Sequence, residues 1–257
     1  MNISVCIPSY KRPKVKTLDY IPYAKVFVDY KEYNEYLEEN KEGSCIVACP
    51  EGIQGNVARV RNYILDTEFD GGGADVVVML DDDMKGMYYW QNNEECELKT
   101  EDFLDFIEKY SNLAIEWGAY FWGVNLNPDR QCYKEFRPFN TLNFIGGPFQ
   151  CFIKGGGCRY DERLPLKEDY DMTLQHLNKH RKTLRVNKYF YKVKQSEQAG
   201  GCAMMRNFKK EKEQLELLQK KWGNNIVKQD KSNSANLKKK KTNIDYNPII
   251  KVPIKGV

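Results

Sequence analysis

Hydrophobic positions in the first third of the chain alternate between two periods. Ile3 to Ile7 is a short apolar run closed by Pro8, Ala24 to Asp29 is a second, and Cys45 to Ala48 a third, followed by Pro50. Each has the length of a strand. Between them, Lys31 to Asn40 is polar, with Tyr33, Tyr36 and Leu37 at three- and four-residue spacing. Gln54 to Asp66 sets Val57, Val60, Ile64 and Leu65 on one helical stripe. After Gly71-Gly72-Gly73 comes ADVVVML, ending at Leu80, the strongest buried-strand signal in the chain because it is continuous and β-branched. Thr100 then reads as the N-cap of a helix whose buried face is Phe103, Phe106, Ile107, Tyr110, Ala114 and Trp117. This order of strand and helix predicts parallel strands joined by helical crossovers.

From Tyr120 to Lys154 the texture changes to short aromatic strands broken by Pro and Gly. Leu164 to His180 returns to a helix, Lys188 to Lys194 to a strand, and Asn207 to Trp222 to an amphipathic helix with Phe208, Leu215, Leu218 and Trp222 on one side. Glu197 to Arg206, which contains Gly200 and Gly201, predicts a mobile loop. Lys228 to Asn243 is poor in apolar residues and predicts a loop or disorder, while Pro248 to Pro253 predicts an edge strand or a docked segment.

Composition narrows the class only modestly. The chain's 257 residues fit one α/β domain, which often reaches about 250 residues. A net charge of +4 permits a polyanionic partner without requiring one. The lysines are uneven, however: Lys209, Lys210, Lys212, Lys220, Lys221 and Lys238 to Lys241 all lie in the last fifth. A solvated face and a phosphate-contacting one are equally compatible with that pattern. Eight cysteines form no CxxC pair, and Cys45 and Cys49 stand without a partner pair, so no structural zinc site is expected. The opening segment reads as a strand, and no apolar run approaches the roughly 20 residues of a membrane span. Reduced thiols, a cytoplasmic location and no membrane partner are therefore expected.

Candidate chemistry begins where VVVML ends in Asp81-Asp82-Asp83. A buried parallel strand delivers its C-terminal residues to the ligand edge of an open α/β sheet. On an extended chain Asp81 and Asp83 project to one side, where hard carboxylate oxygens suit Mg2+ or Mn2+ completed by substrate phosphates. Glu168 and Asp169 open the later helix within LPLKEDYDMTL, where the helix dipole favours their ionised form and a carboxylate can act as general base. Asp171 is the reserve candidate. His176 and His180 are four apart on that helix, a metal-compatible spacing that no acidic partner completes into a known motif. Gly155-Gly156-Gly157 and Gly200-Gly201 could bring backbone amides to a phosphate or an acceptor, or serve as plain hinges.

VCIPSYKRP at the start, RVRN at Arg59 to Asn62, and VVVMLDDDM together resemble the nucleotide-sugar half of GT-A fold glycosyltransferases. The resemblance implies an α/β, Rossmann-like fold: a mostly parallel sheet flanked by helices, with a smaller mixed sheet on the acceptor side. It implies a single domain over residues 1–227, with a donor-nucleotide half (1–84) and an acceptor half (85–227), and a basic, partly disordered tail at 228–257. By the same resemblance, Pro8, Tyr10 and Arg12 would line the base pocket and Arg61 and Asn62 would flank the donor. Asp81 would sit near the ribose and the metal, Asp82 would bind the donor, and Asp83, with Asp81, would hold Mn2+ or Mg2+ as its direct ligand. Asp169 would be the base, with Glu168 binding the acceptor hydroxyl, and Gly200 and Gly201 would belong to a donor-covering loop. FIGGPFQCF, LPLKEDYD and the late NPIIKVP narrow the resemblance to the TET/JBP-associated glycosyltransferases. That implies a UDP-sugar donor and an acceptor in phage DNA, a hydroxymethylated pyrimidine, with a GT-A glycosyltransferase acting on a glycan, protein or small molecule as the alternative. Two alternatives from other classes remain. A nucleotidyltransferase would be expected to carry a Gly-rich loop where this chain has SYKRP, and a non-catalytic nucleic-acid-binding module on a degenerate glycosyltransferase scaffold would not need intact DDD and KED.

Overall fold

The computed structural model describes residues 1–193, 207–230 and 246–251. In chain order the elements are β1 (Ile3–Pro8), α1 (Thr17–Tyr20), β2 (Lys25–Asp29), α2 (Tyr33–Glu39), β3 (Cys45–Cys49), α3 (Val57–Asp66), β4 (Val76–Leu80), β5 (Met84–Gln91) and β6 (Glu94–Leu98). There follow α4 (Phe103–Glu116), β7 (Phe121–Asn125), β8 (Phe139–Asn140), β9 (Phe149–Ile153), α5 (Glu168–His180), β10 (Leu184–Val193), α6 (Phe208–Trp222), β11 (Val227–Gln229) and β12 (Pro248–Ile250).

One mixed sheet runs β3-β2-β1-β4-β9-β7-β10-β5-β6, with β8 on β10, and a separate pair joins β11 to β12. Strands β3, β2, β1 and β4 are mutually parallel. Antiparallel β9 then joins them to the mixed half, which continues the same sheet. β4 shows why its sequence is unbroken by polar residues. Val76, Val78 and Leu80 enter the core under α4, while Val77 and Met79 enter the core with Ala58, Val60 and Ile64 of α3.

The predicted order of strands and helices from β1 to α4 holds with two additions: the short helix α1 between β1 and β2, and a hairpin of β5 and β6 between β4 and α4. The hairpin shapes the site. β4 and β5 are four strand spacings apart in the sheet, about 19 Å if flat, yet four Cα steps from Leu80 to Met84 reach at most about 14 Å. The sheet must curl, and Asp81 to Asp83 occupy the crossing. Thr100 does not cap α4. Its hydroxyl donates to the Tyr20 carbonyl at 2.7 Å, and a short 3-10 turn leads into the helix. Trp117, expected on the buried face, is 44% exposed beyond the helix end.

A third core cluster joins Leu164 and Leu174 to Leu215 and Leu218 of α6 and Val227 of β11. Asn207 caps α6 by accepting from the Lys210 amide at 2.9 Å. Among the described residues no helix is long and apolar enough to cross a membrane. The expected mobile loop at Glu197 to Arg206, with Gly200 and Gly201, lies outside the described residues, as do Lys238 to Lys241.

Candidate active site

Parallel β1 and β4 end at the same edge of the sheet where antiparallel β9 begins, so the segments after β1 and β4 and before β9 converge there. Three consecutive carboxylates repel unless separated or neutralised, and the fold separates them. Asp82 is buried, with Ser9 Oγ donating to its Oδ2 at 2.7 Å and Arg12 Nη1 to its Oδ1 at 2.8 Å. Asp81 and Asp83 keep side-chain exposures of 32% and 16%. Burial, reinforced by the Asp81 and Asp82 charges, pushes the Asp83 carboxyl up to about 6.

Arg61 connects this cluster to the second acidic motif. Its side chain is 3% exposed. Nη2 donates to Asp81 Oδ1 at 3.0 Å and to the Gly147 carbonyl at 3.3 Å. Nη1 donates to Glu168 Oε1 at 3.2 Å and Gln150 Oε1 at 3.3 Å. The guanidinium also lies over the Tyr160 ring, 5.7 Å from its centroid. A buried guanidinium requires such a set of acceptors. α3 thereby carries RVRN, from residue 61, to the end of β4 and the start of α5 at once.

Glu168 and Asp169 form the first turn of α5. Burial raises the Glu168 carboxyl, and the Asp169 charge adds to this against the pull of Arg61. Burial also raises Asp169, opposed by Arg61 and by the amides of Tyr170 at 2.8 Å and Gly147 at 3.2 Å. Five carboxylates (Asp81, Asp82, Asp83, Glu168 and Asp169) thus face two guanidiniums (Arg12 and Arg61). Asp81 and Asp83 are the hard-oxygen pair that could hold a divalent cation. Both are partly exposed, and the Asp81 and Asp82 charges, which add to burial in raising Asp83, are what a cation would relieve.

Pro8 closes β1, and Tyr10 stands half-buried in the loop after it, two residues before Arg12. Asn62 is turned toward Tyr160, donating to its carbonyl at 2.9 Å and accepting from its amide at 2.7 Å. With both ends of its amide so engaged, it braces α3 where a donor contact was expected. Asp171, the reserve base, is directed away. It is fully buried and accepts from Lys221 Nζ at 2.8 Å and Trp222 Nε1 at 2.8 Å. Gly155 to Gly157 follow β9 and lie at the opposite end of that strand from Asp81, so they serve no phosphate there.

Tyr191 was not anticipated. It is buried near the end of β10, where burial and the Asp81, Asp169 and Asp83 charges raise its phenol and keep it a protonated donor. Its only sequence signal was alternation within YFYKV. Gln150, accepting from the Tyr160 hydroxyl at 2.5 Å, is a second unanticipated neighbour of Arg61. The basic residues of α6 are partly neutralised, since Lys209 pairs with Glu213, Lys212 with Glu216, and Lys221 with Asp161.

An α/β sheet that collects carboxylates and arginines beyond its parallel strand ends agrees with the arrangement that the GT-A resemblance implies. A model of the TET-associated glycosyltransferase family matches residues 5–201, and the chain belongs to that family. The family is one of glycosyltransferases, which sets the nucleotidyltransferase alternative aside. No curated protein matches the chain. Solved structures similar to it include TarS 1–349 of S. aureus, 14% identical, with a TM-score of 0.45 over 74% of this chain and 60% of that one. This chain thus spans 60% of that TarS chain. A197 from STIV is 13% identical, with a TM-score of 0.41 over 76% and 87% of the two chains. Glucosyl-3-phosphoglycerate synthase from Mycobacterium tuberculosis, in complex with Mn2+, UDP and glucosyl-3-phosphoglycerate, is 12% identical, with a TM-score of 0.44 over 76% and 72%.

Proposed function

We propose that this glycosyltransferase takes a UDP-sugar donor at the Asp81–Asp83 edge and transfers the sugar to the hydroxyl of a 5-hydroxymethylpyrimidine in DNA. The observation that carries the reading is the Arg61 bridge, which joins the end of β4 to Glu168 beside Asp169. In this reading residues 1–227 are one catalytic domain, with 1–84 serving the donor and 85–227 the acceptor. Asp83 and Asp81 hold Mn2+ or Mg2+, and when bound the cation neutralises the diphosphate leaving group. Pro8 and Tyr10 border the base of the nucleotide, Arg12 holds Asp82 in place, and Arg61 sets Asp81 and Glu168.

Asp169 acts as base. Two amides and Arg61 support its charge, while its raised proton affinity brings it closer to the operating pH. It takes the acceptor hydroxyl proton as the new oxygen–carbon bond forms and the bond from sugar to diphosphate breaks in line. Glu168 orients that hydroxyl. Phe144 stacks on Tyr170 at 4.1 Å and 12°, next in sequence to Asp169, a half-buried aromatic surface suited to a planar base extruded from the duplex. The lysines of α6 and of the 228–257 tail would meet DNA phosphates.

The test combines a panel of nucleotide sugars with Mn2+, unmodified DNA and hydroxymethylcytosine DNA. Sugar appearing only on the modified DNA is expected. Transfer to a protein or glycan with none to modified DNA would overturn the acceptor and leave the donor site intact.

A further inference from the structure

α5 carries Glu168 at its first residue and His180 at its last, twelve residues and about 18 Å further along the helix axis. His176 and His180 are four apart and share a face, with ring centroids 5.4 Å apart. Cys158 is brought against them by the Gly155–Gly157 turn that follows β9. One donor atom from each of the three lies within 4.8 Å of the other two. His176 is 1% exposed, its ring lies against Phe121 at 4.8 Å, and neither ring nitrogen has a hydrogen-bond partner among the described residues. An imidazole buried that deeply ordinarily has a partner for at least one nitrogen, so the two open positions point to a missing ligand.

The neighbouring contacts support a metal as that ligand. His180 Nε2 lies 2.8 Å from the Gly156 carbonyl. A carbonyl only accepts, so Nε2 carries the proton and Nδ1 presents its lone pair. Donating the second ring N–H to a backbone carbonyl is the habit of a metal-bound histidine. Lys179 Nζ donates to the same carbonyl at 2.9 Å, which fixes the turn. Cys158 is 6% exposed and, among the described residues, makes only a long thiol contact to the Gly156 carbonyl at 3.8 Å. Two imidazoles and a thiolate are a borderline-soft donor set that suits Zn2+ and does not suit Mg2+ or Mn2+. Zinc bonds of about 2.0–2.3 Å hold tetrahedral donors roughly 3.3–3.8 Å apart, so closure needs movements of about 1 Å or less.

We propose that Cys158, His176 and His180 bind one Zn2+ at the end of the sheet opposite the donor edge, and that this ion fastens the Gly155–Gly157 turn to the last turn of α5. Zinc replaces the Cys158 thiol proton, which passes to solvent, and water completes the fourth position on the half-buried His180 side. The role is structural and independent of the donor site. This departs from the expectation from cysteine spacing, because the ligands come from two separated segments and form no CxxC pair.

The experiment uses the full chain, prepared without chelators or affinity metals, and measures metal content per chain by mass spectrometry. One zinc per chain is expected, falling to background in Cys158→Ser and in His180→Ala. Replacing zinc by Co2+ should give a thiolate charge-transfer band in the wild type and none in Cys158→Ser. A chelator should lower Tm by several degrees, with Zn2+ restoring it and Mg2+ failing to. Both variants should keep circular dichroism and Mn2+-dependent nucleoside-diphosphate binding, which separates this site from the donor site. Wild-type protein that retains no zinc after incubation with an equimolar amount and gel filtration overturns the proposal. Zinc retained equally by both variants overturns it as well.

Discussion

At Arg61 a single guanidinium serves Asp81 with one arm and Glu168 with the other, which a planar fork does and a point-charge ammonium does not. Arg61→Lys keeps the charge but leaves at least one buried acceptor without its donor, at a cost of about 1–3 kcal/mol. At about 2–4 °C per kcal/mol for a chain of this size, a Tm lowered by several degrees is expected in a thermal melt, and an unchanged Tm would count against the bridge. Asp83→Asn should abolish Mn2+-dependent binding of a nucleoside diphosphate, read by calorimetric titration; an undiminished titration would remove Asp83 as ligand.

The Glu168–Asp169 pair gives a pH prediction with a definite sign. Both carboxyls are raised by burial, and a base must be ionised, so transfer should increase with pH along a limb lying above the ordinary carboxylate range. That limb belongs to the pair. Glu168→Gln removes the like charge and should move the limb to lower pH, whereas a fixed limb would exclude coupling. A raised carboxyl pKa also means that these groups favour the folded state at pH below their unfolded values. That contribution is lost as pH rises through the folded ones.

Among the elements that the hydrophobic pattern did not reveal, β5 and β6 explain what such patterns miss. β4 was legible because both of its faces are covered, whereas β6 reads EECEL at the sheet edge with only Leu98 buried. A usable sign lay in the turn. Asn92 and Asn93 have φ of 51° and 66°, the left-handed pair of a two-residue hairpin turn, which asparagine tolerates. Asn92→Ala should therefore cost about 1–2 kcal/mol in chemical denaturation, and Asn92→Gly much less. Equal losses would indicate that the side chain matters and the backbone does not. In α5, KEDYD revealed a carboxylate cluster but not its division. Asp169 and Asp171 are two residues apart, on opposite sides of a helix, so one reaches Gly147 and the other Trp222. Helical spacing alone separates them; only packing identifies which side faces the site. Burial of Arg61 and the commitment of Asn62 to Tyr160 were likewise invisible, because their partners other than Asp81 lie 86 to 107 residues further along the chain.

Across the whole molecule, the donor edge depends on β1, β4 and α3, whereas the start of α5 depends also on α6. Lys167, which immediately precedes Glu168, is 3% exposed at its side chain and pairs with Glu211 of α6 at 2.6 Å, while Asp171 holds Lys221 and Trp222 at the helix's far end. Removing one member of a buried pair leaves the other charge uncompensated, at about 3–5 kcal/mol, so Glu211→Gln should lower Tm by roughly 10 °C. Because the loosened element begins at Glu168, transfer should fall by more than the affinity for nucleoside diphosphate with Mn2+, which is set by the residues that follow β1 and β4. Lys167→Met combined with Glu211→Leu replaces the pair by apolar groups of similar size, a change that is often neutral or stabilising, and should recover most of the lost Tm. Recovery of Tm together with transfer would identify α6 as a brace for the acceptor side. Recovery of Tm without transfer would mean that the Lys167 charge itself acts on Asp169, whose carboxyl it helps to ionise.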